Sequence, residues 1–283
     1  MTTRDTRRET PQNALQRPET SDQAARSGLS QQVIDRLRRA GCVFAEQEAA
    51  VLLEVAPDPA ALDALVARRV HGEPLEYVVG WAEFCGLRIR VAPGVFVPRQ
   101  RTAFLVELGS ALATGTRHPV VVDVCCGSGA IAAALARWVP DADLFATDID
   151  AAAVACARDN LAGIGTVLHG DLFAPLPAGL HGRVDLIIAN APYVPTEQIE
   201  TMPREARLYE ARATLDGGPD GLDLHRRVAA GASAWLRAGG SLLIETSDAQ
   251  ANRTADIVTT AGLDAVIERS RELDATVVHG TRI

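Results

Sequence analysis

From residue 118 to its end, the chain alternates short apolar runs with longer helical patterns, and this alternation constrains the fold more than any other feature of the sequence. The first run, residues 120–126, is almost entirely apolar, and the helical pattern of Ala130–Trp138 follows it directly. Apolar runs of strand length are typical of strands that are buried on both faces. Repeated strand–helix units of this kind predict an α/β fold built on a parallel, doubly wound sheet.

Further strands are predicted after the first one. They are expected at Asp143–Asp148, Thr166–His169, Val184–Ala189, 241–246, 265–269 and 275–280. Further helical patterns lie between or beside them, at residues 150–161, 222–236 and 249–261. The last two strands have no helix between them, so we expect them to complete a seven-stranded sheet as a terminal antiparallel hairpin.

The beginning of the chain differs in character. Residues 1–27 are polar and lack a hydrophobic period, which indicates a disordered tail. Residues 28–72 are predicted to form a small helical domain whose first helix is capped by Ser30. Its other helices are expected at Ala45–Val55 and Pro59–Val70. About 40 residues bury too little surface to form a robust core alone, so we interpret this domain as a cap or docking module.

A β-hairpin linker is predicted over residues 73–98, between the helical domain and the domain of residues 99–283. Its strand signal is the alternation of Leu87, Ile89 and Val91 with arginines. A Pro-Gly pair then marks a turn before the next helix begins.

Composition excludes several classes of protein. All 28 basic residues are arginine, so the chain has no lysine for a Schiff base, a pyridoxal phosphate enzyme or a Walker A loop. The net charge of −8 argues against broad nucleic-acid binding. No apolar run suits a transmembrane helix or a secretory signal, so no membrane partner is expected. The five cysteines lack zinc-like spacing, so we expect reduced thiols, no metal and a cytoplasmic protein.

The first predicted strand ends in a glycine turn that opens a helix, Asp123-Val-Cys-Cys-Gly127-Ser128-Gly129. Glycines at this place let a ligand approach the backbone, and the helix N-terminus offers unpaired N–H groups. The three-glycine pattern of dinucleotide-binding loops is incomplete here. A nucleotide site and an ordinary tight turn therefore both remain open at this point.

Acidic residues follow the next strands at the same edge of the predicted sheet. Asp148 ends the second strand, where a carboxylate can accept hydrogen bonds from both hydroxyls of a ribose. For the neighbouring Asp150 we favour the role of helix N-cap. Asp171 ends the third strand and can accept from an adenine amino group while Leu172 or Phe173 covers the ring. Because so many carboxylates would repel phosphate, S-adenosylmethionine is favoured over NAD or ATP.

The fourth strand runs into the segment Asn190-Ala191-Pro192-Tyr193. The Asn190 side-chain oxygen and the Ala191 carbonyl can both accept hydrogen bonds from one NH2 group. Pro192 stiffens the turn, and Tyr193 offers a ring against which a flat group can stack. Two acceptors that hold both N–H bonds would leave the nitrogen lone pair pointing at a methyl donor. The segment therefore indicates N-methylation of a planar amide or an aromatic amine.

Taken in this order, the segments resemble the protein N(5)-glutamine methyltransferases that modify peptide-chain release factors. The resemblance covers about residues 29–283, and no single motif carries it. Its marks are EPLEYVVG from Glu73, VPR from Val97, DVCCGSGAIAAALA from Asp123, ATDID from Ala146, GDLF from Gly170, NAPY from Asn190, YEAR from Tyr209 and DGGPDGLD from Asp216.

The resemblance implies a class I methyltransferase with a Rossmann-like sheet, preceded by a helical domain and a hairpin. It also implies S-adenosylmethionine as the methyl donor, S-adenosylhomocysteine as product, and a release factor as the protein substrate. Catalysis and substrate binding are expected at Asn190, Ala191, Pro192 and Tyr193. Donor binding is expected at Asp123, Cys125, Gly127, Ser128, Gly129, Asp148, Ile149, Asp171, Leu172 and Asn190.

The chain departs from the family pattern at several positions. Ala191 stands where the usual Asn-Pro-Pro-Tyr segment has its first proline, which keeps the accepting carbonyl in a less rigid loop. Cys125 stands in place of a glycine, and we expect it to be tolerated if the backbone there needs no positive φ. Gln100 and Arg101 replace a proline and an acid near the substrate mouth. A different protein target therefore remains open.

Other functions also remain open from the sequence. A methyltransferase acting on the exocyclic amine of adenine would use a similar site, with Tyr193 stacking on a flipped base, but the acidic net charge disfavours it. A relative that binds adenosine or a partner without catalysis would account for Ala191 and the changed Gln100-Arg101 pair. An NAD-linked oxidoreductase is disfavoured by the incomplete glycine pattern and the acid-rich site.

Overall fold

The computed structural model describes residues 21–283, with side chains from residue 27 onward. The predicted tail of residues 1–27 therefore lies largely outside the described residues, and its last residues belong to the first helix. The chain divides into two compact units, one ending at His71 and the other running from Gly72 to Ile283.

The described part of the first unit consists of three helices: α1 (Ser21–Arg39), α2 (Ala45–Val55) and α3 (Pro59–Val70). The last two have the predicted bounds. The first begins earlier than expected, so Ser30 lies inside α1 and is not its N-cap. Two alanines that favour helix precede Ser30 in the sequence, which is consistent with a helix that extends past it.

Helix packing in this unit buries a small apolar core and one ion pair. Leu37 of α1, Leu52 of α2 and Val66 of α3 are fully buried. Arg69 donates from Nε to Glu48 Oε2 over 2.6 Å, and both side chains are about nine-tenths buried. Removal of either partner would leave a buried charge uncompensated, which is strongly destabilising.

The second unit begins with a short helix and a two-stranded antiparallel hairpin: α4 (Leu75–Val79), β1 (Trp81–Phe84) and β2 (Leu87–Arg90). The predicted hairpin region 73–98 is thus too long at its start, because residues 75–79 are helical. Pro74 fixes the backbone that enters this turn of helix, and Gly80 ends it in the left-handed conformation with φ 84°.

A seven-stranded sheet with helices on both faces forms the rest of the second unit. Its strands are β3 (Val120–Val124), β4 (Asp143–Asp148), β5 (Thr166–His169), β6 (Val184–Ala189), β7 (Leu236–Thr246), β8 (Leu263–Ser270) and β9 (Ala275–Arg282). Its α-helices are α5 (Ala103–Ala113), α6 (Ala130–Trp138), α7 (Ala151–Asn160), α8 (Arg204–Tyr209), α9 (Asp223–Trp235) and α10 (Ala251–Thr260).

The strand order is β5-β4-β3-β6-β7-β9-β8. Neighbours from β5 to β7 pair in parallel, whereas β9 pairs antiparallel with both β7 and β8. The predicted doubly wound sheet with a terminal antiparallel hairpin is therefore confirmed. β7 begins earlier than the predicted 241–246, because Leu236 already pairs with Val184 across a register shift.

Alternate residues of β3 point to opposite faces of the sheet, and helices bury both faces. Val121 packs in one core with Leu105 of α5, whereas Val122 packs in the other with Val228 of α9 and Val258 of α10. This double burial explains the unbroken apolar runs of the sequence. It also brings the carboxyl ends of the parallel strands to one edge of the sheet, where ligands bind in folds of this type.

Candidate active site

A cavity of about 260 Å³ lies at the carboxyl ends of the parallel strands. Most of the predicted site residues line it: Cys125, Gly127, Ser128, Asp148, Ile149, Asp171, Leu172, Asn190, Ala191, Pro192 and Tyr193. The fold thus joins two segments that are distant in sequence, the glycine loop (residues 125–129) and the NAPY loop (residues 190–193). Asp123 and Gly129 do not line the cavity.

The glycine loop turns sharply between β3 and α6. Gly127 has φ 54° and Gly129 has φ 75°, both in the left-handed region that favours glycine. A Cβ on Gly129 would lie 3.1 Å from the Cβ of Ala157. Glycine at this position therefore lets the start of α6 pack closely against α7.

Cys125 also adopts a left-handed backbone conformation, with φ 57°. The condition under which this cysteine was expected to replace glycine without cost is thus not met. A residue with a Cβ is destabilised by about 1 kcal/mol or more in this region. Leu172, on another side of the same cavity, shares the feature with φ 47°, and such strained residues tend to cluster at functional sites.

Asp148 organises the glycine loop from the end of β4. One carboxylate oxygen accepts from the Gly127 N–H over 2.8 Å, and the other accepts from the Asp150 N–H over 2.9 Å. Burial raises the pKa of Asp148. Asp150 accepts from the N–H groups of Ala152 and Ala153, so its predicted role as the N-cap of α7 agrees with the structure.

The far side of the cavity combines one ion pair with apolar surface. Asp171 pairs with Arg227 of α9 over 2.6 Å, and both side chains are about half exposed. Ile149 is 66% exposed and Leu172 is buried, and both line the cavity. The exposed side chain of Ile149 thus adds apolar surface to a cavity that Asp148 and Asp171 also line.

Asp123 lies fully buried behind the glycine loop. Its Oδ2 accepts from the Ala132 N–H over 3.2 Å, in the first turn of α6, and Oδ1 has no hydrogen-bond partner among the described residues. Burial raises the pKa of Asp123 to about 7, with a further contribution from the Asp148 carboxylate. Asp123 thus supports the glycine loop from behind. It does not line the cavity, and its expected contact with the methyl donor stays a prediction.

Asn190 follows β6 directly and is held by a buried hydroxyl. Its Nδ2 donates to Thr102 Oγ1 over 3.2 Å, and Thr102 is almost fully buried. Because the amide nitrogen turns to Thr102, the side-chain oxygen Oδ1 remains an acceptor in a residue that lines the cavity. Ala191, the next residue, is also buried.

Tyr193 is fixed at both ends. Its backbone carbonyl accepts from Gln250 Nε2 over 2.9 Å, and its hydroxyl lies between Arg101 and Glu245. Its ring centroid lies 6.2 Å from that of His225, at 48°. Burial and the Glu245 charge raise the pKa of Tyr193 to about 12, so the phenol is neutral at pH 7.

The glycine-rich segment 216–223 packs against the backbone of the NAPY loop. A Cβ on Gly217 would lie 2.8 Å from the Pro192 carbonyl oxygen, and a Cβ on Gly221 would lie 2.4 Å from that of Tyr193. Neither distance is compatible with a side chain, so glycine is required at both places. The close packing explains why DGGPDGLD accompanies NAPY in this chain.

The sequence did not identify the side chains that fix the NAPY loop. Glu245 and Gln250 come from the end of β7 and the turn after it, and the one available signal was a carboxylate that ends an apolar strand at the correct edge. Glu197 and Glu210, two carboxylates that follow the NAPY loop in sequence, do not line the cavity and are not placed as general bases for a bound acceptor. Glu210 instead pairs with Arg99 over 2.5 Å.

Two features are absent from the described part of the chain, a cluster of potential metal ligands and a membrane-spanning helix. Among the side chains described, those of residues 27–283, no group of three or more His, Cys, Asp or Glu is arranged to hold a metal ion. None of the five cysteines, which all lie within the described residues, forms a disulfide bond. No helix among the described residues is long and apolar enough to cross a membrane.

The charges at the cavity suit an adenosine-containing ligand that carries no phosphate. Each arginine in the described lining is paired with a carboxylate: Arg99 with Glu210, Arg101 with Glu245 and Arg227 with Asp171. No arginine of this lining is therefore left to bind a pyrophosphate. The cavity offers an acceptor carboxylate from Asp148 and apolar surface from Ile149 and Leu172. These groups suit the ribose hydroxyls and the adenine ring of S-adenosylmethionine.

Comparison with known proteins agrees with this geometry. The family described as "Methyltransferase small domain" matches residues 86–222, which contain both loops. The release factor glutamine methyltransferase of Geobacter sulfurreducens is 41% identical over 206 residues, which cover 72% of this chain and 71% of that protein. The enzyme of that name from Mycolicibacterium smegmatis is 43% identical over 211 residues, 73% and 74% of the two chains. The one from Cereibacter sphaeroides is 36% identical over 253 residues, 86% and 88%.

Solved structures share the fold at lower identity. A methyltransferase from Pyrococcus furiosus superimposes with a TM-score of 0.52 and 17% identity, covering 70% of this chain and 89% of that chain. A 16S rRNA N2 G1207 methyltransferase from T. thermophilus, in complex with AdoMet and guanosine, gives a TM-score of 0.52 and 19% identity, covering 72% and 50%. At such identities these likenesses concern the fold alone.

Proposed function

The chain belongs to the release factor glutamine methyltransferase family, and we propose that it methylates the side-chain amide nitrogen of a glutamine in a peptide-chain release factor. Its methyl donor is S-adenosylmethionine. The observation that carries the proposal is a single cavity lined on one side by the glycine loop with Asp148 and on the other by the NAPY loop.

The donor half of the site is assigned from the groups that line it. When bound, S-adenosylmethionine supplies an electrophilic methyl group on a sulfonium sulfur. Asp148 uses one lone pair on each oxygen for the loop, so each oxygen can still accept from a ribose hydroxyl. Asp171 would accept from the adenine amino group, while Ile149 and Leu172 would cover the faces of the ring.

The acceptor half would hold a primary amide by its two N–H bonds. We assign Asn190 Oδ1 as one acceptor and the Ala191 carbonyl as the other. An amide nitrogen is a poor nucleophile because its lone pair is delocalised, so its alignment must supply much of the rate. Thr102 contributes by holding the Asn190 amide in the orientation that presents its oxygen.

The proposed methyl transfer does not require a strong base in the cavity. With S-adenosylmethionine bound, the amide nitrogen would form the new N–C bond as the C–S bond breaks, and the electron pair of that bond would stay on sulfur. One proton of the methylated nitrogen would then pass to solvent water, and the remaining N–H would stay on its acceptor. This agrees with the placement of Glu197 and Glu210 outside the cavity lining.

The test is transfer of label from radioactive S-adenosylmethionine to defined acceptors. A purified release factor, the same protein with the glutamine of its Gly-Gly-Gln loop changed to alanine, and short DNA and RNA strands would be incubated in parallel. We expect label on the first acceptor alone. Asn190→Ala should abolish it, whereas Asn252→Ala, on the exposed face of α10, should not.

Other outcomes would overturn specific parts of the proposal. Label on nucleic acid would replace glutamine with an adenine amine as the acceptor. Label on another protein in total cell extract, with none on the release factor, would keep the chemistry and change the target. Donor binding without label on any acceptor would identify a relative that has lost catalysis.

A further inference from the structure

Glu245 is a buried carboxylate that the assigned chemistry does not use. It ends the apolar part of β7, and its side chain is 2% exposed. Its Oε1 accepts from Tyr193 Oη and from Arg101 Nε, each over 3.3 Å, and its Oε2 has no hydrogen-bond partner among the described residues. A carboxylate buried to this degree needs a cation beside it, because desolvation of an unpaired charge is costly.

Arg101 supplies that cation, and it also contacts the acceptor loop. It lies in the turn that precedes α5, and its Nη2 donates to Tyr193 Oη over 2.8 Å. Burial opposes the charge on Arg101, but Tyr193 and Glu245 outweigh it and raise the pKa of the guanidinium. One arginine thus ties the hydroxyl of a cavity residue to a carboxylate from a different strand.

The contacts of Arg101 and Glu245 with the Tyr193 hydroxyl restrict the orientation of the Tyr193 ring. Gln250 fixes the backbone of Tyr193, and His225 lies beside one part of its ring. The Arg101–Glu245 pair fixes the remaining free end, the hydroxyl. Arg101 itself is about half exposed and lines both the main cavity and a second cavity of about 500 Å³ next to it.

We propose that Arg101 is a positioning residue for methyl transfer: by bridging Tyr193 to the buried Glu245, it holds the tyrosine ring at the angle that the acceptor amide requires. This inference rests on the proposed function for its kinetic readout. Arg101 acts through Tyr193 and touches no reacting atom. A residue of this kind affects turnover and leaves donor binding unchanged.

The kinetic test is a double-mutant cycle between Arg101 and the Tyr193 hydroxyl. Arg101→Met keeps much of the aliphatic stem and removes the charge with both hydrogen bonds. We expect kcat to fall on the order of 10-fold with the donor Kd unchanged, since a charge-assisted hydrogen bond is lost. In the Tyr193→Phe background, Arg101→Met should cost less than about 2-fold more, because the hydroxyl it held is already absent. Arg269→Met removes an exposed arginine paired with Asp248, lines neither cavity, and serves as the matched control.

A spectroscopic readout separates this inference from the proposed function. The chain has only three tyrosines, so ring-labelled tyrosine gives three assignable NMR signals, with Tyr193→Phe identifying one of them. Arg101→Met should shift and broaden the Tyr193 signal, and Arg269→Met should not. This measurement needs no acceptor protein, so it stands even if no release factor is methylated.

A second variant keeps the test possible if Arg101→Met does not fold. If Arg101→Met leaves Glu245 uncompensated and the protein unfolds, Arg101→Met/Glu245→Gln removes the buried charge, while the new amide oxygen can still accept from the tyrosine. That variant should fold and regain part of the turnover. The inference would be overturned by equal losses from Arg101→Met in the wild-type and Tyr193→Phe backgrounds, or by a Tyr193 signal that Arg101→Met leaves unchanged.

Discussion

The glycine loop and the NAPY loop lie on one cavity, but they are built in different ways. The glycine loop is held by groups that are close in the strand–helix order, chiefly backbone N–H groups and Asp148 at the end of the neighbouring strand. The NAPY loop is held by side chains from three separate elements, namely Thr102 before α5, Glu245 at the end of β7 and Gln250 in the turn after it.

On the proposed function, this difference separates the part of the site that would bind the methyl donor from the part that would select the acceptor. A strand, a glycine turn that opens a helix and an acid on a later strand form the nucleotide-binding unit of many doubly wound sheets, so this part is not specific to one acceptor. The side chains that hold the NAPY loop, Thr102, Glu245 and Gln250, are not part of that general unit. Variants of the two loops should therefore separate donor affinity from turnover.

The largest effect is expected from Asn190→Ala. Loss of one preorganised group that aligns the acceptor costs about 1,000-fold in kcat, by analogy with groups that stabilise transition states in other enzymes. The donor Kd, measured by calorimetry, should stay within about 2-fold of wild type. A variant that loses donor affinity and turnover together would remove the division between the two loops.

Asp148→Asn tests the opposite half. It removes a charge that can accept from two hydroxyls, so the donor Kd should rise about 30-fold, or about 2 kcal/mol. The turnover rate measured at saturating donor, kcat, should be close to the wild-type value. Asp256→Asn, an exposed carboxylate on α10, is the matched control and should change neither constant. A fall in kcat that saturating donor does not restore would assign Asp148 to the acceptor half.

Asp123 gives a pH-dependent prediction for the support behind the glycine loop. Its pKa is about 7 in the folded protein and near its ordinary value of 3.8 when unfolded, so the folded state binds the proton more tightly. Its contribution to stability is therefore complete below pH 3.8 and is lost as the pH rises toward 7. Relative to Asp123→Asn, the wild-type free energy of unfolding should fall by about 2 kcal/mol between about pH 5 and pH 7. If urea unfolding gave parallel pH profiles for the wild type and Asp123→Asn, the raised pKa of the buried Asp123 carboxyl would be contradicted.

Cys125→Gly is expected to have the smallest effect. Glycine removes the strain of a left-handed residue with a Cβ, which should stabilise the protein by about 1 kcal/mol. Cys156→Gly, inside α7, provides the contrast and should destabilise, because it weakens a helix and leaves a small void. Thermal unfolding of both variants measures the two signs. Destabilisation by Cys125→Gly would mean that the thiol contributes packing that outweighs its strain.

The same contrast explains what the sequence predicts. The bounds of α6, β4 and β6 follow from apolar runs and helical periods, because burial on both faces of the sheet leaves a clear pattern in the sequence. Asp150 as an N-cap is a local property of the chain and is also predictable. The bridge from Arg101 to Glu245 joins residues far apart in sequence, and no local pattern reports such a contact. The left-handed φ of Cys125 was left open, because cysteine itself gives no local signal for that conformation and the indication came from the glycine that similar proteins have at this position.

The most direct test of the account is to locate the transferred methyl group by tandem mass spectrometry of a release factor after incubation with this protein and S-adenosylmethionine. We expect one added methyl group on the side-chain amide nitrogen of the glutamine in the Gly-Gly-Gln loop, and none when Asn190→Ala replaces the wild-type protein. A methyl group on a different type of residue or on the peptide backbone, or equal methylation by Asn190→Ala, would contradict it.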